Sequence, residues 1–192
     1  GNLSLYGGLL HYATNEFGRA REIPVDDLSE EEIQQDKLLL SLSNPNIVKV
    51  LECVKGIDGR YFAIEAFAQE KAMEQIFRRP QKRPRIVSHI IKGLASGIYY
   101  LHKIRKLLHR RICRSNIVLR GLFPAIARYW RYWDCSKQPV PPEVTFYSAP
   151  ENQEGSEGYH SDIWSLGLIF LELSVESLSS CISLCFGYFG FP

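Results

Sequence analysis

The sequence predicts an α+β fold in which a small β-rich lobe is followed by a helical one. Three observations predict it. Two short runs of strand character, residues 47–53 and 61–65, flank Gly56-Ile57-Asp58-Gly59, whose glycines suit a hairpin turn. Further on, Val87, Ile90, Ile91, Leu94, Ile98 and Leu101 recur at three- and four-residue steps, the stripe of a long amphipathic helix. Residues 166–173 are apolar nearly all round, as a helix sunk in a core is.

The first lobe also contains a helix, over residues 29–42. Ser29 is a good N-cap, and the glutamates that follow it suit the positive end of the helix dipole. Ile33, Leu38, Leu39 and Leu42 supply its apolar face, and Pro45 ends it by steering the preceding residue away from helical angles. The chain accordingly divides into a β-rich lobe over residues 1–66, a helical lobe over 67–173 and an apolar tail over 174–192. The basic stretch 78–85 (RRPQKRPR) reads as a solvated loop between helices rather than a docking strip or nuclear-localisation patch. The aromatic run 128–134, despite its interleaved arginines, reads as packing rather than as a base-stacking surface.

With 192 residues, 45% apolar and 23% charged, the chain has enough material for one buried core. A net charge of +2 provides no global field for nucleic acid or an anionic membrane. The five cysteines include no CxxC pair, which suits free thiols in a reducing compartment. No leader is visible in a chain that begins at Gly1, and the weakly charged end is shorter than the ~20 apolar residues that span a bilayer. The expectation is a soluble cytoplasmic protein, with the nucleus open, whose partners are proteins and neither nucleic acid nor membrane.

Five short strings then carry a resemblance. Asn44-Pro45-Asn46-Ile47-Val48 reads like an HPNIV, and Leu101-His102 like the end of a YLH. The run from His109 through Arg110, Arg111, Ile112, Cys113, Arg114 and Ser115 to Asn116 aligns without a gap on H-R-D-L-x-x-x-N. Ala149-Pro150-Glu151 is an A-P-E, and the string from Asp162 through Trp164 to Gly167 resembles DxWSxG. In this order the strings resemble the protein kinase family over about residues 6–173, with a flavour similar to NEK-type serine/threonine kinases. The resemblance implies a bilobal kinase-like fold with an incomplete helical lobe.

What the resemblance implies about chemistry is mostly loss. Phosphoryl transfer is catalysed by positioning groups and neutralising charge. Of the glycine-rich loop over the phosphates only Gly7 and Gly8 remain. The phosphate-binding Lys falls on Arg21 and its Glu partner on Gln35, with Glu31 or Glu32 as substitutes if the register shifts. Arg19 stands where a small residue usually lies above the adenine, so it either crowds the nucleotide or turns outward. The catalytic Asp falls on Arg111, a permanent cation that accepts no proton. Asn116 survives as a weak metal ligand, and D-F-G is absent, its Phe position falling on Trp130.

Ile64, Glu65, Phe67 and Val118 mark the rest of a vestigial ATP site. Leu39, Val50, His109 and Trp130 fit the stack that joins the lobes, while Gln35, Glu151, Asp162 and Trp164 fit structural positions. The resemblance thus implies a pseudokinase acting as a binding or scaffold module, with no cofactor expected unless ATP and Mg binding is retained. The alternatives are an active serine/threonine kinase using displaced residues such as Glu32 and Asp134, or a truncated remnant without function. After residue 173 the family pattern stops, and no Arg follows to pair with Glu151.

Overall fold

A computed structural model describes residues 9–11, 16–23, 38–55, 57, 59–66, 68, 70–78, 84–127 and 145–174. Gly7, Gly8, Gln35, Phe67, Trp130 and residues 175–192 lie outside the described residues, as do Glu31, Glu32, Asp134 and most of the helix expected over 29–42.

Four strands form one antiparallel sheet: β1 (Leu9–His11), β2 (Glu16–Ile23), β3 (Val50–Lys55) and β4 (Tyr61–Ala66), in the order β1-β2-β4-β3. The expected strand over 47–53 is displaced, because Ile47 and Val48 are occupied elsewhere. Val48 N donates to Ile126 O (3.0 Å) and Ile126 N donates to Asn46 O (2.9 Å). A ladder with a distant partner therefore takes residues that β-propensity alone would assign to the sheet. At the β3–β4 turn, Ile57 is fully exposed and Gly59 has a φ of 84°, a conformation glycine adopts without steric cost.

The helical part begins with α1 (Glu70–Arg78), which buries Met73, Ile76 and Phe77 on one face. Residues 79–83 of the basic stretch are not among those described, but Arg78 ends α1 and Pro84 opens α2 (Pro84–Tyr99). The loop expected over 78–85 is thus helical at both ends. Proline is well placed at a first helical position, where its missing N–H has no intrahelical partner to lose. Ile90, Leu94, Ile98 and Leu101 are all at most 2% exposed, each burial contributing about 1.5–3 kcal/mol. The expected helix does not run regularly through Leu101. It widens into a π-helical turn at Tyr100–Arg105, closed by Lys106 in the left-handed conformation.

Two glycines decide how α2 packs. A Cβ on Gly93 would lie 2.4 Å from Pro124 Cγ, and one on Gly97 would lie 2.8 Å from Asn46 O. Only glycine admits the loop over residues 44–48 so close to the helix. That loop runs along the hairpin of β5 (Ile117–Arg120) and β6 (Phe123–Ile126), and Asn46 Nδ2 donates to Pro124 O at 2.7 Å. Leu39 and Val50 sit in the central core with the α1 and α2 residues, Ile112, Ile117 and Ile126.

The last helix, α3 (Tyr159–Ser174), buries Asp162, Ser165, Leu166, Ile169 and Leu173 on one stripe. It is not buried all round. Ile163, Leu171 and Trp164 are 53, 46 and 44% exposed, so an apolar composition does not here imply two packed faces. No helix among the described residues is long and apolar enough to cross a membrane.

Candidate functional site

The loop over residues 107–116 is organised by one carboxylate. Asp162 is 2% exposed, and its Oδ2 accepts from His109 N at 2.7 Å and lies 2.8 Å from His102 Nε2. Its Oδ1 accepts from Arg110 N at 2.7 Å. Arg110 has a φ of 68°, a strained region for a non-glycine residue, and the bond to Asp162 holds it there. The Arg110 side chain reaches Glu157 at 3.5 Å in a partly exposed ion pair, a contact of little energetic weight.

His109 is 1% exposed. Its Nε2 lies 3.2 Å from Ala127 O, and its Nδ1 accepts from Arg111 N at 3.3 Å. One nitrogen that accepts and one that faces a carbonyl define a neutral ring protonated on Nε2. Burial lowers the His109 pKa below its ordinary 6.5; Asp162 and the Ala127 carbonyl oppose this, and the nearby His102 and Arg111 reinforce it. The unfolded chain therefore takes up this proton more readily than the folded one. The resulting stability is fully present above about pH 6.5 and is lost as pH falls below that value toward the lowered folded pKa. Melting temperature is expected to decline across that acidic window, and less steeply in His109→Gln. Equal slopes in parent and variant would exclude His109 as the source.

Arg111, where the resemblance puts the catalytic base, is 5% exposed, and its carbonyl accepts from Asn116 Nδ2 at 2.7 Å. Asn116 N in turn donates to Cys113 O, closing the short helical turn Arg114–Asn116. The backbone of the loop is thus fully built around the buried Arg111 guanidinium. Among the described residues no group of three or more His, Cys, Asp or Glu side chains could hold a metal ion. A neutral amide beside a buried cation does not suit Mg²⁺, which calls for carboxylates.

The described residues of the adenine slot leave little room between them. Arg19, Val48, Glu65, Ala66, Ala68, Val118 and Ala127 surround a cavity of about 10 Å³, room for roughly one water molecule. Val48, Val118, Ala125 and Ala127 form a small apolar cluster on one side of it. On the other, Arg19 lies directly across the β2–β4 ladder from Glu65, which is 7% exposed. Arg19 is among the residues that line the slot. Ile64 is buried but is not among the residues that line the slot, and Arg21 lies opposite Ala63 in the same ladder.

Two structural contacts were not legible in the sequence. Glu172 of α3 receives Arg114 Nη1 at 2.9 Å and the Tyr147 hydroxyl at 2.7 Å, while the Arg114 guanidinium lies over the Phe77 ring. Burial, followed by the bond to Glu172, pushes the Tyr147 pKa up, so its hydroxyl stays a neutral donor. Glu151 has local partners in place of an arginine: Ser161 Oγ donates to it at 3.2 Å, and His160 Nε2 lies at the same distance. Trp164 is partly exposed on the outer face of α3.

The sequence matches the protein kinase domain over residues 14–181. The chain belongs to the protein kinase family. It is 28% identical over 172 residues to a probable CTD kinase subunit alpha homolog of Encephalitozoon cuniculi (strain GB-M1), a match covering 86% of this chain and 50% of that protein. It is also 31% identical over 147 residues to mitogen-activated protein kinase kinase kinase 1 of Arabidopsis thaliana, covering 71% of this chain and 23% of the relative. The chain therefore spans half of the first relative's length and less of the second's.

Proposed function

We propose that this kinase-fold chain transfers no phosphate and works by binding other proteins, as a pseudokinase. The observation that carries the reading is Arg111, buried at the base position of a loop whose register is fixed by His109, Asn116 and Asp162. Lost transition-state groups of this kind cost about 3 kcal/mol each, and the narrow slot and the lack of a metal-ligand cluster among the described residues support the same reading. Within the family we place it beside NEK-type serine/threonine kinases, on the strength of Arg21-Glu22-Ile23-Pro24, the string from Asn44 to Val48 and the string from Ser161 to Gly167, and in the cytoplasm or nucleus.

Two measurements test the reading. Purified chain with radiolabelled ATP, Mg²⁺ and a generic protein acceptor is expected to give no label above background. Its melting temperature is expected to stay the same with and without Mg-ATP. Transfer abolished by Asp134→Ala would overturn the proposal in favour of a displaced carboxylate.

A further inference from the structure

The net charge of +2 hides an uneven distribution along the chain. Between Glu74 and Asp134 there is no acidic residue, whereas fifteen residues are Lys or Arg. That interval contains all of α2 and the π-helical turn that extends it. Arg85, Ser88, Lys92, Ser96, Tyr99 and Lys103 follow one another at three- and four-residue steps, and all six are exposed. They form the stripe opposite the buried one, so one face of the helix meets solvent along its length.

Exposed helix faces ordinarily mix the two signs, because acidic and basic residues four apart stabilise each other. This face is purely basic. No ion pair or hydrogen bond among the described residues engages the side chain of Arg85, Lys92 or Lys103. Lys106, also exposed, adds a cation just past the turn. Tyr99, 62% exposed, stands between Lys92 and Lys103. Tyrosine is enriched at protein interfaces, where it offers a broad ring and a polar tip.

Charge spacing decides among anionic partners. Arg85, Lys92 and Lys103 stand seven and eleven residues apart. At a rise of ~1.5 Å per residue they cover roughly 25 Å, about one charge per 10 Å. Duplex nucleic acid carries one charge per ~1.7 Å, far more than this row can match. A lipid surface favours large apolar side chains that enter it, and serines separate the cations here. An α-helix with carboxylates two or three turns apart repeats at about 10–16 Å, which fits.

We infer that the outer face of α2 docks an acidic α-helix of another protein, with Asp or Glu carboxylates against Arg85, Lys92 and Lys103 and an apolar side chain against Tyr99. Ser88 and Ser96 keep the middle of the face low, so the two helix axes can approach to about 8–10 Å. The inference names the partner class of the binding module proposed above and rests on that reading.

The test selects a display library of Ala-based helical peptides, randomised on one face, against the whole chain. The enriched peptides are then measured by fluorescence anisotropy. They are expected to carry Asp or Glu two or three turns apart, with an apolar residue between. Their affinity falls about tenfold or more in the double variant Lys92→Glu, Lys103→Glu, and is unchanged in Arg60→Glu at the β3–β4 turn. Binding also weakens as salt rises from about 0.05 M to about 0.3 M. The substituted side chains are exposed, so melting temperatures should stay within about 2 °C of the parent. Should the charge-reversed variant unfold, Lys92→Gln with Lys103→Gln carries the same test.

Peptides without acidic residues, no saturable binding, or equal affinity for parent and double variant would each overturn the inference. A short DNA duplex and phosphatidylserine vesicles are measured alongside. If either binds more tightly than the peptides and is released by the double variant, the face belongs to that partner instead. Phosphate transfer measured on the same preparation reports separately on the inactive-kinase reading. Transfer with intact peptide binding removes that reading and leaves the docking face, whereas no transfer and no peptide binding removes the docking face alone.

Discussion

Asp162→Ala is expected to lower the stability of the chain by about 3–5 kcal/mol, a large share of the ~5–15 kcal/mol typical of a folded domain. The carboxylate is 2% exposed and meets two backbone N–H groups and the His102 ring. Hydrogen bonds to a charged acceptor contribute about 1.5–3 kcal/mol each, and a buried donor left without one costs about 1–3 kcal/mol. Arg110 would also lose the bond that holds its strained backbone. For a chain of this length the melting temperature should drop by roughly 6–20 °C. Asp162→Asn keeps one acceptor oxygen and should fall about half as far. Urea titration is the check, and an unchanged midpoint for Asp162→Ala would show that the loop is held by packing alone.

Adenosine is expected to leave the parent chain's melting temperature unmoved and to raise that of Arg19→Ala. The parent cavity of about 10 Å³ is far smaller than a purine, and Arg19 is the largest side chain among the described residues of its wall. Arg19 lies opposite the buried Glu65 in the ladder, so truncating it should also make the unliganded variant less stable by about 1–3 kcal/mol. Adenosine at about a hundred times its dissociation constant would restore about 2.7 kcal/mol, or roughly 5–10 °C. Adenosine lacks the phosphates, so this result does not depend on Gly7, Gly8 or Arg21. If adenosine leaves Arg19→Ala unmoved, some other part of the wall closes the slot.

The sequence carried the outline of the fold because its periodic segments are local. The stripe from Val87 to Leu101 and the glycine-flanked turn at Ile57 each predict an element within a dozen or so residues. Motif register did the same for the catalytic loop, since His109 and Asn116 bracket Arg111 too closely for a gap. Contacts made across the chain were illegible. Arg114 and Glu172 lie 58 residues apart, and neither position carries a pattern that pairs them. The π-helical turn at Tyr100–Arg105 was hidden because its residues continue a regular helical stripe as far as Leu101. Arg19 was recognised as an obstacle, but only the strand register against Glu65 settles which way its position faces.

The loop over residues 44–48 also bears on how the molecule comes apart. It bonds to the β5–β6 hairpin across 78 positions of chain in the Asn46–Pro124 contact, while its next residue, Lys49, is bonded to β4. Closing so long a loop is entropically slow, so these bonds form only after α2 and the hairpin have given them a surface. Once formed, they prevent the sheet from peeling away without exposing the helical core beneath it. A bilobal outline therefore does not by itself imply two independently folding halves.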